Sequence, residues 1–224
     1  MAEGDKDYTK NLENVIKQML KPLKDVPFNL VIEGLSGKKV VQFDSKDKEH
    51  VVVLEALKKA AISAGRQVNK AGIKRPRPNE VGNDIERYVK DALNKNKLAA
   101  DTPSVSSGER KSTGYPDIIF WYNKKPFYLE CKTYNIDNVD TTQRSFYFSP
   151  SDEFKVIYEA PHFLLSFEIY VSGEDGDNHI YKCKHYKILS IEKLLTDVKY
   201  EFNSDNKRMY SGQHGTRILA EGDV

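Results

Sequence analysis

The stretch Gly114–Lys132, GYPDIIFWYNKKPFYLECK, decides the reading of this chain. Asp117 to Tyr122 and Pro126 to Lys132 are two β-prone runs parted by Asn123, Lys124 and Lys125, so together they read as a hairpin. Side chains alternate across a strand, which puts Tyr128, Glu130 and Lys132 on one face and Phe127, Leu129 and Cys131 on the other. The second face is apolar and can enter a core, with Cys131 as a small core residue rather than a nucleophile. That leaves a carboxylate and an ammonium side by side on the first face. Asp117, at the start of the preceding strand, delivers a second carboxylate nearby.

Working outward, Ser149 to Ala160 reads as a helix, Phe163 to Val171 and Ile180 to Tyr186 as strands, and Ile188 to Leu195 as a short helix. Upstream, Asn83 or Asp84 opens a helix that ends near Leu93, with Ile85, Val89 and Leu93 facing the core. The segment Lys70 to Pro78 carries four cations and two prolines and reads as a loop. Val51, Leu54, Leu57 and Ala61 share a face of a helix from about Asp47 to Ala64, capped by Ser45. Phe28 to Glu33 and Lys39 to Phe43 read as a second hairpin. From Thr9 to Leu23, the residues Leu12, Val15, Ile16, Met19 and Leu20 place one amphipathic stripe toward the core. The order predicts a mixed α+β (α/β) chain with a central mixed β-sheet flanked by helices. Residues 1–70 are expected to form a helical and hairpin subregion packed on a core of residues 71–224.

With 224 residues, 39% of them hydrophobic, the chain is long enough for one substantial core or a core with a small appendage. Lys and Arg total 35 against 33 Asp and Glu, so the net charge of +2 does not announce a polyanionic partner; charge placement must. Two cysteines, with no CxxC or Cys/His spacing, argue against a disulfide framework or structural zinc. The five histidines show no HExxH spacing and read as structural or surface residues. A polar N-terminus and the lack of an apolar run near the ~18 residues of a membrane span predict a cytoplasmic protein without a membrane partner.

Two carboxylates beside an ammonium suit a hard cation. Mg²⁺ takes oxygen ligands, typically one or two carboxylates together with substrate phosphate oxygens. Asp117 and Glu130 are the expected metal ligands for Mg²⁺, with Mn²⁺ as a substitute, and Lys132 is placed to position or activate a water and to offset phosphorane charge. The opposing reading is an exposed turn aspartate and a surface Glu130–Lys132 ion pair on a solvated face.

At these residues the chain resembles the PD-(D/E)XK nuclease superfamily: Pro116-Asp117, a gap of twelve residues, then Glu130-Cys131-Lys132. Upstream, Gly82-Asn83-Asp84-Ile85-Glu86-Arg87-Tyr88 is similar to the family's helix that carries an acid toward the metal, with Glu86 at the matching position. A helical Glu86–Lys90 pair in solvent remains the other reading of that acid. Gln143-Arg144-Ser145-Phe146-Tyr147-Phe148-Ser149-Pro150, followed by His162-Phe163-Leu164-Leu165-Ser166-Phe167, resembles the layout after the catalytic strands in many type II restriction endonucleases. The likeness spans about residues 80 to 210. It implies a restriction-endonuclease-like core and a Mg²⁺-dependent endonuclease that cuts double-stranded DNA at a specific sequence. It also implies 5′-phosphate and 3′-hydroxyl ends, a homodimer as the working form and no organic cofactor. Its rivals are a repair or recombination nuclease with the same metal site and a non-catalytic DNA-binding protein.

DNA contacts need cations and amides near phosphates and base edges. Three polar stretches are candidates. Lys74, Arg75 and Arg77 lie in the first; Arg110, Lys111, Ser112 and Thr113 precede the catalytic strand; Asn203, Asn206, Lys207 and Tyr210 lie in the third. Gln143 and Arg144 are further candidates, and each set is equally readable as an ordinary solvated loop.

Overall fold

The computed structural model describes residues 3–19, 21, 23–140, 146–148 and 153–199. The chain divides into two compact units, and the catalytic candidates all belong to the one formed by Pro27–Leu195. In the other unit, helix α1 (Glu3–Met19) is followed by strand β1 (Leu23–Pro27), which pairs with β8 (Leu195–Val198). Asp25 N donates to Asp197 Oδ1 at 3.0 Å, and Thr196 Oγ1 donates to Val26 O at 2.8 Å. Of the stripe expected to face a core, Leu12, Val15 and Met19 are exposed, Ile16 is half-buried and Leu20 lies outside the described residues. Amphipathic spacing shows that a helix has an apolar face; it does not supply the surface that covers it.

The larger unit is built on a six-stranded mixed sheet, order β2-β7-β6-β5-β4-β3. Its strands are β2 (Ile73–Arg75), β3 (Ala99–Asp101), β4 (Ile118–Tyr122), β5 (Lys125–Tyr134), β6 (His162–Asp175) and β7 (Asn178–Ser190). β5 and β6 run parallel, and every other pairing is antiparallel. Helices α3 (Lys48–Ala71) and α4 (Val81–Lys95) cover one face. There Val53, Leu57, Ala64, Ile85, Val89 and Leu93 bury themselves against Phe120, Phe127, Leu129, Cys131, Leu165 and Phe167. The opposite face carries a smaller core in which Phe28, Ile32, Tyr115, Ile119, Tyr128 and Leu164 meet. The expected mixed sheet flanked by helices is present, and Cys131 is the core residue that alternation required.

Several local expectations are corrected. Phe28 to Glu33 is not a strand but part of helix α2 (Phe28–Ser36). Phe28 and Ile32, four residues apart, are fully buried, and Gly37 ends the helix at φ 66°. The first amides of α2 are satisfied by distant carbonyls, Phe28 N to Leu194 O at 2.8 Å and Asn29 N to Glu192 O at 3.1 Å. Of the second expected strand only a bridge from Val40 to Ala160 forms. Asp47, not Ser45, caps α3, accepting from Glu49 N at 2.7 Å, and the helix continues to Ala71. In the segment expected to be a helix up to Ala160, the described residues 153–160 are irregular. Ile188 to Leu195 is not helical either: β7 runs to Ser190, held by pairing of Ile188, Leu189 and Ser190 with Leu165, Leu164 and Phe163.

Candidate active site

The β4–β5 ladder pairs Ile118 with Leu129, so one further step sets Asp117 against Glu130. At that step the side chain replaces the backbone: Asp117 Oδ2 accepts from Cys131 N at 2.8 Å, where the two strands part. Two residues earlier Tyr115, 4% exposed, stacks on His162 and its hydroxyl lies 2.5 Å from His162 Nδ1. The chain entering Asp117 is thereby tied to the first residue of β6. The Tyr115–Pro116 peptide is cis.

Glu130 is only 3% exposed, which rules out the surface ion pair. Lys132 Nζ donates to Glu130 Oε1 at 2.6 Å, while Glu130 Oε2 is buried with no hydrogen-bond partner among the described residues. Burial and the neighbouring Asp117 charge push the Glu130 carboxyl up to about 7. Burial also raises Asp117, with the Cys131 amide and Lys132 working against it. Each carboxyl lies within electrostatic reach of the other. Burial disfavours charge on Lys132, but Glu130 outweighs it and the pKa ends above its ordinary value, so this amine is an ammonium at neutral pH.

Glu86 joins the group from α4. Its carboxyl rises to about 7, first through burial and then through the charge of Asp117. Lys90, the alternative partner, donates instead to Thr102 Oγ1 at 2.8 Å.

Among the described residues no group of three or more His, Cys, Asp or Glu side chains forms a ready-made metal cage. Two adjoining carboxylates, one with a buried unpartnered oxygen, nonetheless fit a cation that draws its remaining ligands from water and substrate phosphate.

The chain's likeness to known proteins agrees with this geometry. A family model described as the type II restriction enzyme MjaV family matches residues 22–213. The chain is also 39% identical over 222 residues to the type II restriction enzyme MjaV of Methanocaldococcus jannaschii, covering 92% of this chain and 94% of that protein. This chain belongs to the type II restriction enzyme MjaV family. An MjaV-family member is a site-specific deoxyribonuclease, and the mixed sheet with its flanking helices is a restriction-endonuclease-like core. Membership selects restriction over the repair and non-catalytic readings.

The expected DNA contacts of this MjaV-family chain fall in varied places. Arg75 forks onto Asp84 at 2.6 and 2.9 Å, joining β2 to α4. Lys74 pairs with Asp175 at 2.7 Å, Arg110 with Asp101 at 2.5 Å and Lys111 with Glu153 at 3.3 Å. Arg77, Ser112 and Thr113 are exposed. Gln143, Arg144, Asn203, Asn206, Lys207 and Tyr210 lie outside the described residues.

Two participants escaped the sequence reading. Tyr128 is fully buried on the Glu130–Lys132 face, and its hydroxyl accepts from Ile157 N at 3.0 Å and Tyr158 N at 3.2 Å. It also donates a long hydrogen bond to Lys155 O at 3.5 Å, and Lys155 is itself 2% exposed. The available signals were Tyr128's shared face with Glu130 and Lys132 and a lone lysine in the otherwise apolar run Phe154-Lys155-Val156-Ile157-Tyr158.

Proposed function

We propose that Asp117, Glu130 and Lys132, with Glu86 as a third acid, form the hydrolytic centre, and that Asp117 and Glu130 hold Mg²⁺, with Mn²⁺ as a substitute. The observation that carries this reading is the buried, partly unpartnered Glu130 carboxylate set against Asp117, with the Lys132 ammonium 2.6 Å away. A divalent cation there would offset charge on the phosphate and on the leaving 3′ oxygen of double-stranded DNA.

The protein's own groups supply the rest. Cys131 N fixes Asp117, so its second oxygen is held in one direction before substrate arrives. Lys132, kept charged by Glu130, donates hydrogen bonds to the phosphate or the attacking water rather than taking its proton. Water attacks phosphorus, the phosphorus–O3′ bond breaks, and the ends are 5′-phosphate and 3′-hydroxyl. A homodimer cutting both strands of a symmetric site is the proposed working form, since one such centre cuts one strand. Lys74, Arg75, Arg77, Arg110, Lys111, Ser112 and Thr113, with Gln143, Arg144, Asn203, Asn206, Lys207 and Tyr210, remain proposed DNA contacts. The proposed division of labour has residues 1–70 assisting DNA or subunit binding. No helix among the described residues is long and apolar enough to cross a membrane, and we place the enzyme in the cytoplasm with its substrate.

Plasmid cleavage with Mg²⁺, by wild type, Asp117→Ala and Glu130→Ala, tests the site. The wild type should give discrete fragments and both variants should lose at least ~10³-fold in rate. Cleavage by Asp117→Ala at the wild-type rate removes the assignment.

A further inference from the structure

Lys155 has a setting that stability does not explain. It is 2% exposed, and its Nζ is buried without a hydrogen-bond partner among the described residues. A buried ammonium is costly unless paired, and an unpaired one calls for a functional reason. The neighbouring cations are engaged elsewhere, Lys132 with Glu130 and Lys111 with Glu153. Lys155 stands within electrostatic reach of Asp117, Glu130 and Glu86, yet burial outweighs all three and its pKa is lowered.

The position is built rather than incidental. Tyr128, on the same strand face as Glu130 and Lys132, gathers Ile157 N, Tyr158 N and Lys155 O around one hydroxyl. Val156 and Ala160 enter the core on that face, and Phe154 packs against it. The strand that carries Glu130 and Lys132 therefore also holds the backbone of Lys155.

Charge supports the same conclusion. Lys155 brings a positive charge within reach of Asp117, Glu130 and Glu86, where a bound phosphodiester would build negative charge on its oxygens.

We propose that Lys155 is a substrate-contacting residue whose ammonium binds a non-bridging oxygen of the scissile phosphodiester. This rests on the reading of Asp117 and Glu130 as the hydrolytic centre. No covalent step is assigned to the amine: it enters and leaves the reaction as an ammonium.

The test uses the full-length protein and a duplex containing the cleavage site first mapped with wild type. With Mg²⁺, Lys155→Met should slow single-turnover cleavage by about 10²-fold or more. In EDTA, where nothing is cleaved, the slope of log affinity against log salt should shrink by about 0.9, one phosphate contact. The affinity difference between the two proteins should vanish on DNA with a neutral methylphosphonate at the scissile position, and Lys155→Arg should recover the wild-type slope. Because an unpartnered ammonium has been removed, Lys155→Met should melt at or above the wild-type temperature. A lower melting temperature, an unchanged slope or a cleavage rate within about threefold of wild type overturns the proposal. Asp117→Ala run alongside separates the two failures: an active Asp117→Ala sinks the hydrolytic centre, whereas an inactive one beside an active Lys155→Met sinks the lysine alone.

Discussion

Removing one oxygen atom from Tyr128 should loosen the segment beneath the active site. In Tyr128→Phe the ring still fills its place, but Ile157 N and Tyr158 N lose the acceptor they reach at 3.0 and 3.2 Å. At ~0.5–1.5 kcal/mol for each of these two part-buried hydrogen bonds, the loss comes to about 1–3 kcal/mol. The long bond to Lys155 O, at 3.5 Å, adds little. For a unit of this size, ~2–4 °C per kcal/mol turns that into a fall in melting temperature of roughly 2–12 °C. Burial pushes the Tyr128 hydroxyl up to about 12, so the fall should be the same at pH 6 and pH 8. Differential scanning calorimetry reads the stability, and single-turnover cleavage reads the accompanying displacement of Lys155 as a rate loss of about tenfold or more. A melting temperature within about 1 °C of wild type would show that the hydroxyl does not hold this segment.

Two pH predictions have opposite signs. Burial drives the pKa of His162 down to about 3, so its unfolded form takes protons that the folded form refuses; stability is complete above about 6.5 and drains away as pH falls toward 3. At pH 5 the loss from this group alone is about 2 kcal/mol, so His162→Gln should gain stability relative to wild type as thermal melts move from pH 7 to pH 5; a wild-type-to-variant difference that does not change with pH would clear His162 of responsibility. The acids behave the other way, because Glu86 and Glu130 stand at about 7 and their protonated forms favour the fold: that contribution is present below about 4.5 and gone once pH has risen through 7. Metal-free protein should therefore melt lower at pH 8 than at pH 6. Mg²⁺ at a hundred times its dissociation constant should restore ~2.7 kcal/mol at pH 8, and Glu130→Gln should remove the Mg²⁺ effect and leave only the Glu86 share of the pH effect; a flat wild-type profile in EDTA refutes the argument.

The β4–β5 hairpin was legible in the sequence because everything that defines it is local. Period-two alternation assigns Glu130 and Lys132 to one face, and the turn at Asn123–Lys125 brings Asp117 back to them. Helix α4 was legible for the same reason, since Ile85, Val89 and Leu93 repeat at helical spacing and are all buried. Phe28–Ile32 was not, because a short run with four apolar residues in five suits strand or helix equally, and carbonyls of Glu192 and Leu194 settle the choice from far along the chain. Residues 153–160 have helical composition, but Tyr128 takes the Ile157 and Tyr158 amides that a helix would use. Lys155 shares that fate: its meaning depends on a hydroxyl from another strand, and no spacing rule encodes it.

The bond from Cys131 N to Asp117 Oδ2 makes one carboxylate serve as a rung of the sheet. Asparagine can keep that rung through its amide oxygen, whereas alanine leaves a main-chain donor stranded. Asp117→Asn should thus preserve the architecture while silencing the chemistry, and Asp117→Ala should disturb both. The aspartate answers to two masters, and its neutral twin is the variant that tells them apart.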